Sequence, residues 1–158
     1  MQFLINTGII LCTLAGMEGF SWFIHKYLFH GPLWFIHKSH HQVNKSWFEL
    51  NDIFSLGFAL AAMSLILTGL NPIDFKFYVG VGISLYGTIY FIFHDGFIHR
   101  RFDTFNFGGG YLKGLRKAHK IHHKSMQKLP SKEYGLLIVG QKNFKTNHSE
   151  KVGSSREP

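Results

Sequence analysis

The sequence predicts an all-α integral membrane protein: three or four transmembrane helices carrying a histidine-rich helical cap on one side. Three observations lead there. Apolar residues gather in three nearly charge-free stretches, 3–24, 53–70 and 77–93, each about long enough to cross a hydrocarbon core of ~30 Å as a helix. Basic residues gather elsewhere: of seventeen Lys and Arg, only Lys76 lies outside 26–45 and the region from Arg100 onward. Ten of the eleven histidines form four tight clusters at or within those same polar regions, and only His148 stands apart.

The first helix covers about 3–24 and runs directly into the first histidine cluster. No Lys or Arg precedes Lys26, and no small-x-small cleavage pattern precedes that cluster, so the stretch reads as a retained span rather than a signal peptide. Cys12, the single cysteine, excludes an intrachain disulfide and reads as a small buried residue of that helix. A polar segment over 26–51 follows. The second helix, 53–70, ends at the turn signal Asn71-Pro72. The third begins near Phe77 and leads into His94.

Beyond it lie a glycine-rich loop at 105–110 (FNFGGG) and a basic helix over 111–124. The apolar run 135–140 (GLLIVG) is too brief to span a bilayer. The expected division is therefore a membrane domain, 1–134, holding all four clusters, and a polar, poorly ordered tail, 135–158.

The net charge of +8 reads as an orientation signal. Three crossings put both basic regions on one face, and the positive-inside rule makes that face cytoplasmic. No nucleic-acid-binding motif accompanies the basic residues, so nucleic acid is excluded as a partner. From His99 onward, thirteen basic residues stand against four acidic ones, a surface that suits an acidic protein partner or anionic lipid.

The clusters repeat one order: HKYLFH (His25, His30), HKSHH (His37, His40, His41), HDGFIH (His94, His99) and HKIHH (His119, His122, His123). Imidazole is the commonest side-chain metal ligand, and two matched halves point to two metal ions. In H-x2-H-H the histidines occupy i, i+3 and i+4. On a helix His40 lies about 60° to one side of His37 and His41 about 40° to the other, so all three share one arc while the later two can address different ions. H-x4-H is harder: at i and i+5 the side chains stand about 140° apart on a regular helix. These pairs must straddle a helix end or a local bulge, or serve separate metals. Gly31-Pro32 and Gly96 permit such irregularity.

Imidazole suits Zn, Cu, Fe and Ni alike. The lack of a nearby carboxylate run or cysteine cluster argues against carboxylate-bridged di-iron and iron–sulfur sites. Asp95 and Asp103 are candidates to accept the second N–H of a ligating imidazole. Asp52 reads first as a cap of the second helix. Glu18, inside the first helix and one face with His25, is a carboxylate in membrane and therefore a functional candidate: it could steady His25, line a substrate path, or be a hydrogen-bonded packing residue.

Over about 16–124 the text GMEGFSWFIHKYLFHG, HKSHH, FELNDIFSLGFA, LYGTIYFIFHDGFIHRRF and GYLKGLRKAHKIHHK resembles the fatty acid hydroxylase/sterol desaturase superfamily of membrane histidine-box di-iron enzymes. HDGFIHRR and KAHKIHH resemble its bacterial β-carotene 3-hydroxylase branch in particular. The resemblance implies that His25, His30, His37, His40, His41, His94, His99, His119, His122 and His123 ligate two irons, with no catalytic residue distinct from them and no organic cofactor. It also implies O2 as co-substrate, reduced ferredoxin as electron donor, and hydroxylation of carotenoid β-ionone rings at C3, β-carotene passing through β-cryptoxanthin to zeaxanthin. Beyond His123 the chain departs from that branch, with EYGLLIVG and a polar tail. The alternatives are a fatty acid or sterol hydroxylase or desaturase of the superfamily, and a non-catalytic membrane metal carrier.

Overall fold

The computed structural model of the chain describes residues 1–42, 46, 48–102, 109–124, 128 and 132–144. Among these there is no β-strand, and the architecture is all-helical. Helix α1 spans Gln2–Ile24 and continues as a π-helical segment, His25–Phe29. Helix α2 is Trp34–His41, α3 is Asp52–Thr68 and α4 is Phe75–Tyr90. A second π-helical segment, Phe91–Ile98, prolongs α4. Helix α5, Gly110–His123, precedes a single 3₁₀ turn, Gln141–Phe144.

Two continuous helices, Gln2–Phe29 and Phe75–Ile98, are long and apolar enough to cross a membrane. Helix α3 is apolar but shorter, at 17 residues. All three present apolar side chains outward: Phe3, Leu4 and Leu11 on α1, and Leu56, Leu60 and Leu67 on α3 are exposed. Contiguous apolar surface on this scale belongs against lipid rather than water. Cys12 is exposed on α1 rather than buried, because so little of this helix is covered by the rest of the chain.

Helix α4 lies between α1 and α3, and two glycines permit the approach. A Cβ on Gly80 would stand 2.8 Å from the Ala62 carbonyl of α3, and one on Gly82 would stand 2.6 Å from Thr13 Cβ of α1. Small residues at such crossings let backbones close in where lipid offers no hydrophobic drive to associate.

Below this bundle sits a compact apolar core of Tyr86, Phe97, Ile98, Leu115 and Leu136. Helix α5 closes it. Gly114, Leu115, Ala118, His119 and His122 line its inner face, while Lys113, Lys117 and Lys120 lie outside, the i, i+4 pattern of an amphipathic helix. Arg116 lies over the Phe97 ring and donates to the Phe97 carbonyl.

The segment expected to begin a polar tail behaves otherwise over 135–144. Leu136 is buried in the core, and the Leu137 and Ile138 amides donate to Glu18 Oε1 at 2.9 and 3.0 Å. Phe144 packs against Gly114, where a Cβ would collide with its ring. The six apolar letters GLLIVG are too few to span, but enough to bury against α1 and α5. The remainder of the expected tail, 145–158, lies outside the described residues, as do Asp103 and the loop residues 105–108.

Candidate metal centre

All ten clustered histidines meet in one chamber where α1, α2, α4 and α5 come together. Ligand atoms of His25, His30, His37, His41 and His122 form one group, and those of His40, His94, His99 and His119 a second, all within 4.8 Å of one another inside each group. His123 lies between them, its ring 4.4 Å from that of His41, 4.6 Å from His40 and 4.3 Å from His119.

The H-x4-H problem has a backbone solution. His30 N–H bonds to His25 O at 3.0 Å and His99 N–H to His94 O at 2.9 Å, the i→i+5 pattern of a π turn. Widening the turn brings residue i+5 back over residue i. The His25 and His30 rings therefore lie 5.2 Å apart, and those of His94 and His99 4.6 Å. The H-x2-H-H boxes split as helical phase dictates. His37 and His41 enter the first group and His40 the second, while His122 joins the first and His119 the second.

Six of these imidazoles have their tautomer decided by an oxygen partner. Nδ1 of His25 donates to Tyr134 O at 2.9 Å, of His30 to Lys128 O at 3.1 Å and of His122 to Lys132 O at 2.9 Å. Nδ1 of His37 donates to Asn51 Oδ1 at 2.7 Å, of His40 to Glu49 Oε2 at 2.8 Å and of His94 to Asp95 Oδ1 at 2.7 Å. With the proton on Nδ1, Nε2 is a bare lone pair.

Those lone pairs face one another. Nε2 atoms lie 3.1 Å apart in the pairs His25–His37, His30–His122 and His40–His94. Two bare acceptors at that distance repel unless a cation lies between them. Bonds of about 2.1 Å from one transition ion to two imidazoles, meeting at about 90–110°, set the nitrogens about 3.0–3.4 Å apart. His123 Nε2 adds a buried nitrogen with no hydrogen-bond partner among the described residues. The donor set fits metal.

Electrostatics agree. Burial is the leading cause that lowers His37 to about 3, His99 to about 4 and His122 to about 2. Burial, then the neighbouring imidazoles, pushes His40, His119 and His123 down as well. Neutral imidazole is the ligating form.

Several supports were not read from the sequence. Glu49 and Asn51 hold His40 and His37 from the ELND run ahead of α3, a polar cluster at a helix mouth that could have signalled them. The carbonyls of Lys128, Lys132 and Tyr134 left no signal, since a backbone acceptor has no letter. Asp95 holds His94 as expected. Asp52 differs from expectation. Asn51 is the residue at the N-terminal cap of α3 and makes no side-chain cap bond. Asp52 instead accepts from Glu49 N and from both Nη atoms of Arg101. Glu18 anchors the C-terminal segment and accepts from Tyr86 Oη at 2.9 Å, so of its three expected roles the hydrogen-bonded packing role is the one observed.

Two cavities adjoin the chamber. One, of about 470 Å³, lies among α1, α3 and α4 and is mostly apolar, with Met17, Phe29, Phe54, Phe58, Met63, Ile83 and Tyr90 among its walls. The other, of about 950 Å³, is lined by His40, His41, His99 and His123 together with Glu49, Asp52 and Arg101. They share Ser55, Phe91 and Asp95. An apolar guest between the helices is thus one wall from the imidazoles.

A family model for fatty acid hydroxylases matches residues 10–146. The chain belongs to the fatty acid hydroxylase family. Within it, the chain is similar to a "Beta-carotene hydroxylase" of Pseudescherichia vulneris, 41% identical over 122 residues that cover 76% of this chain and 69% of the relative. It is also similar to one of Pantoea ananas, 34% identical over 167 positions, covering 99% and 93%. A chloroplastic "Beta-carotene 3-hydroxylase 2" of Arabidopsis thaliana is 35% identical over 149 residues, which cover 90% of this chain but 46% of the relative. No solved structure matches the chain.

Proposed function

We propose that this fatty acid hydroxylase family member is a membrane β-carotene 3-hydroxylase, a non-haem di-iron monooxygenase that converts β-carotene through β-cryptoxanthin to zeaxanthin. The observation that carries the reading is the adjacency of a ten-imidazole chamber and an apolar cavity opening between membrane helices. The bacterial relatives named for β-carotene, which align with most of this chain, supply the substrate. A metal carrier has no use for an apolar cavity beside its ligands.

His25, His30, His37, His41 and His122 would hold one iron, His40, His94, His99 and His119 the other, with His123 between. The irons, when bound, supply the activation of O2 that an unactivated ring C–H requires and that no side chain provides. The protein's own contribution is positional. Oxygen acceptors fix the Nδ1–H of six of the imidazoles, so those Nε2 atoms aim inward without reorganisation. Apolar walls strip water from the ring and point it at the shared partition of Ser55, Phe91 and Asp95.

The same reading has α1, α3 and α4 crossing a bacterial inner membrane, α2 and α5 forming a cytoplasmic cap, and membrane lipid against the apolar girdle. Reduced ferredoxin delivers electrons to the basic outer face of α5. Production of the chain in a β-carotene-accumulating bacterium tests the substrate: zeaxanthin is expected. Unchanged carotene alongside an active electron supply rejects β-carotene as substrate. His40→Ala is expected to abolish turnover, and retained turnover removes His40 from the ligand set.

A further inference from the structure

We propose that the two metal positions are electronically unlike, and that Arg101 is the positioning residue that makes them so. The inference rests on the reading that the ten histidines hold two irons.

The acceptors behind the imidazoles differ in kind between the two groups. In the first group His25, His30 and His122 donate to backbone carbonyls and His37 to the Asn51 amide oxygen. Every one of these acceptors is neutral. In the second group His40 donates to the carboxylate of Glu49 and His94 to that of Asp95. A carboxylate behind an imidazole makes it a more basic ligand than a carbonyl does. More basic ligands favour the more highly charged ion, so the second position holds iron more tightly and is the first of the two to be oxidised.

Both carboxylates turn their remaining oxygen toward one guanidinium. Arg101 Nη1 lies 3.5 Å from Asp95 Oδ2 and Nη2 lies 3.6 Å from Glu49 Oε1. The guanidinium is itself held by Asp52, through two bonds of 3.0 Å. Asp52 in turn accepts from the Glu49 amide at 2.9 Å. Arg101 touches neither iron position. It aims two carboxylates at two imidazoles of one group, whereas the acceptors behind His25, His30, His37 and His122 in the other group carry no charge. The planar fork matters here, because a lysine ammonium is a point charge that cannot address three carboxylates in fixed directions.

The test titrates anaerobic, metal-free full-length protein with ferrous iron and follows the bound metal by Mössbauer spectroscopy. Wild type is expected to bind two equivalents as two doublets of equal area. Arg101→Gln is expected to weaken one equivalent by about 10–100-fold, the usual scale for losing such a support, and to move one doublet only. Arg101→Lys falls between. Asn51→Leu is expected to weaken the other equivalent and move the other doublet. Two bound irons with a single doublet in wild type overturn the inference and leave the proposed function standing, a result that needs no variant to fold. Equal weakening of both equivalents by Arg101→Gln, or of neither, overturns it as well. A wild-type chain that binds no iron removes the proposed function, and this inference with it.

Discussion

The imidazoles of His25 and His30 lie 5.2 Å apart on one face of a π turn closed by His30 N–H to His25 O at 3.0 Å. On a regular helix, side chains five apart point about 140° away from each other. The extra residue in the turn is therefore what makes H-x4-H a converging pair.

Changing that spacing should have opposite effects in the two directions. Deleting Tyr27 converts the box to H-x3-H, whose i, i+4 side chains share a face on an ordinary helix. Inserting an alanine after Lys26 gives H-x5-H, which neither helix type brings together. The deletion is expected to keep most of the iron and the insertion to lose that of the first group. Metal analysis of the two purified proteins decides it, and equal iron in both removes the role assigned to the π turn.

Glu18 should link the fold of the C-terminal segment to the metal chamber. It holds the Leu137 and Ile138 amides, a few residues beyond the Lys132 and Tyr134 carbonyls that orient His122 and His25. Glu18→Leu takes the acceptor from the Leu137 and Ile138 amides and from the Tyr86 hydroxyl, at about 1 kcal/mol for each hydrogen bond. A melting temperature lower by several degrees and a weaker first iron position are expected. Glu18→Gln, which keeps an oxygen for both amides, should be mild. Unchanged melting and iron content in Glu18→Leu would show the anchor to be idle.

Acid should destabilise the metal-free protein before it protonates the chamber. The unfolded chain takes up protons on histidine near pH 6.5, whereas burial lowers His99 to about 4 and His37 to about 3 in the folded state. Between those values the unfolded state binds more protons, so stability falls as pH drops from about 6.5 toward 3 and is flat above 7. Melting of detergent-solubilised apoprotein at a series of pH values checks this. Stability that rises on acidification from pH 7 to 5 contradicts it.

Much of this was legible in the letters, and the parts that were not have physical causes. The ten histidines and their division into two halves are visible because chelation needs particular side chains at particular spacings. Helices α1 and α4 follow from apolar length. The choice among helix end, bulge and separate metals for H-x4-H was not legible, because α- and π-turns use the same residues and differ only in which carbonyl accepts. The 135–144 segment was misread for a related reason. Leu136 and Leu137 sit in a run too short to register as an element; the core that buries Leu136 and the Glu18 carboxylate that holds the Leu137 amide both come from distant parts of the chain.

Filling the apolar cavity should impair substrate use without disturbing metal. Gly87 lines that cavity, and a Cβ there meets nothing within 4 Å. Gly87→Phe is expected to keep normal melting and full iron while carotene conversion falls by about tenfold or more, since a displaced ring no longer reaches the reacting centre. Undiminished conversion would place the substrate elsewhere.

The origin of the hydroxyl oxygen tests a di-iron monooxygenase most directly. Purified, iron-loaded protein given β-carotene, a reductant system and isotopically heavy dioxygen is analysed by mass spectrometry. Zeaxanthin carrying one heavy oxygen in each ring hydroxyl is expected, and no product from zinc-loaded protein. Hydroxyls bearing oxygen from water, or equal product with zinc in the chamber, would contradict it.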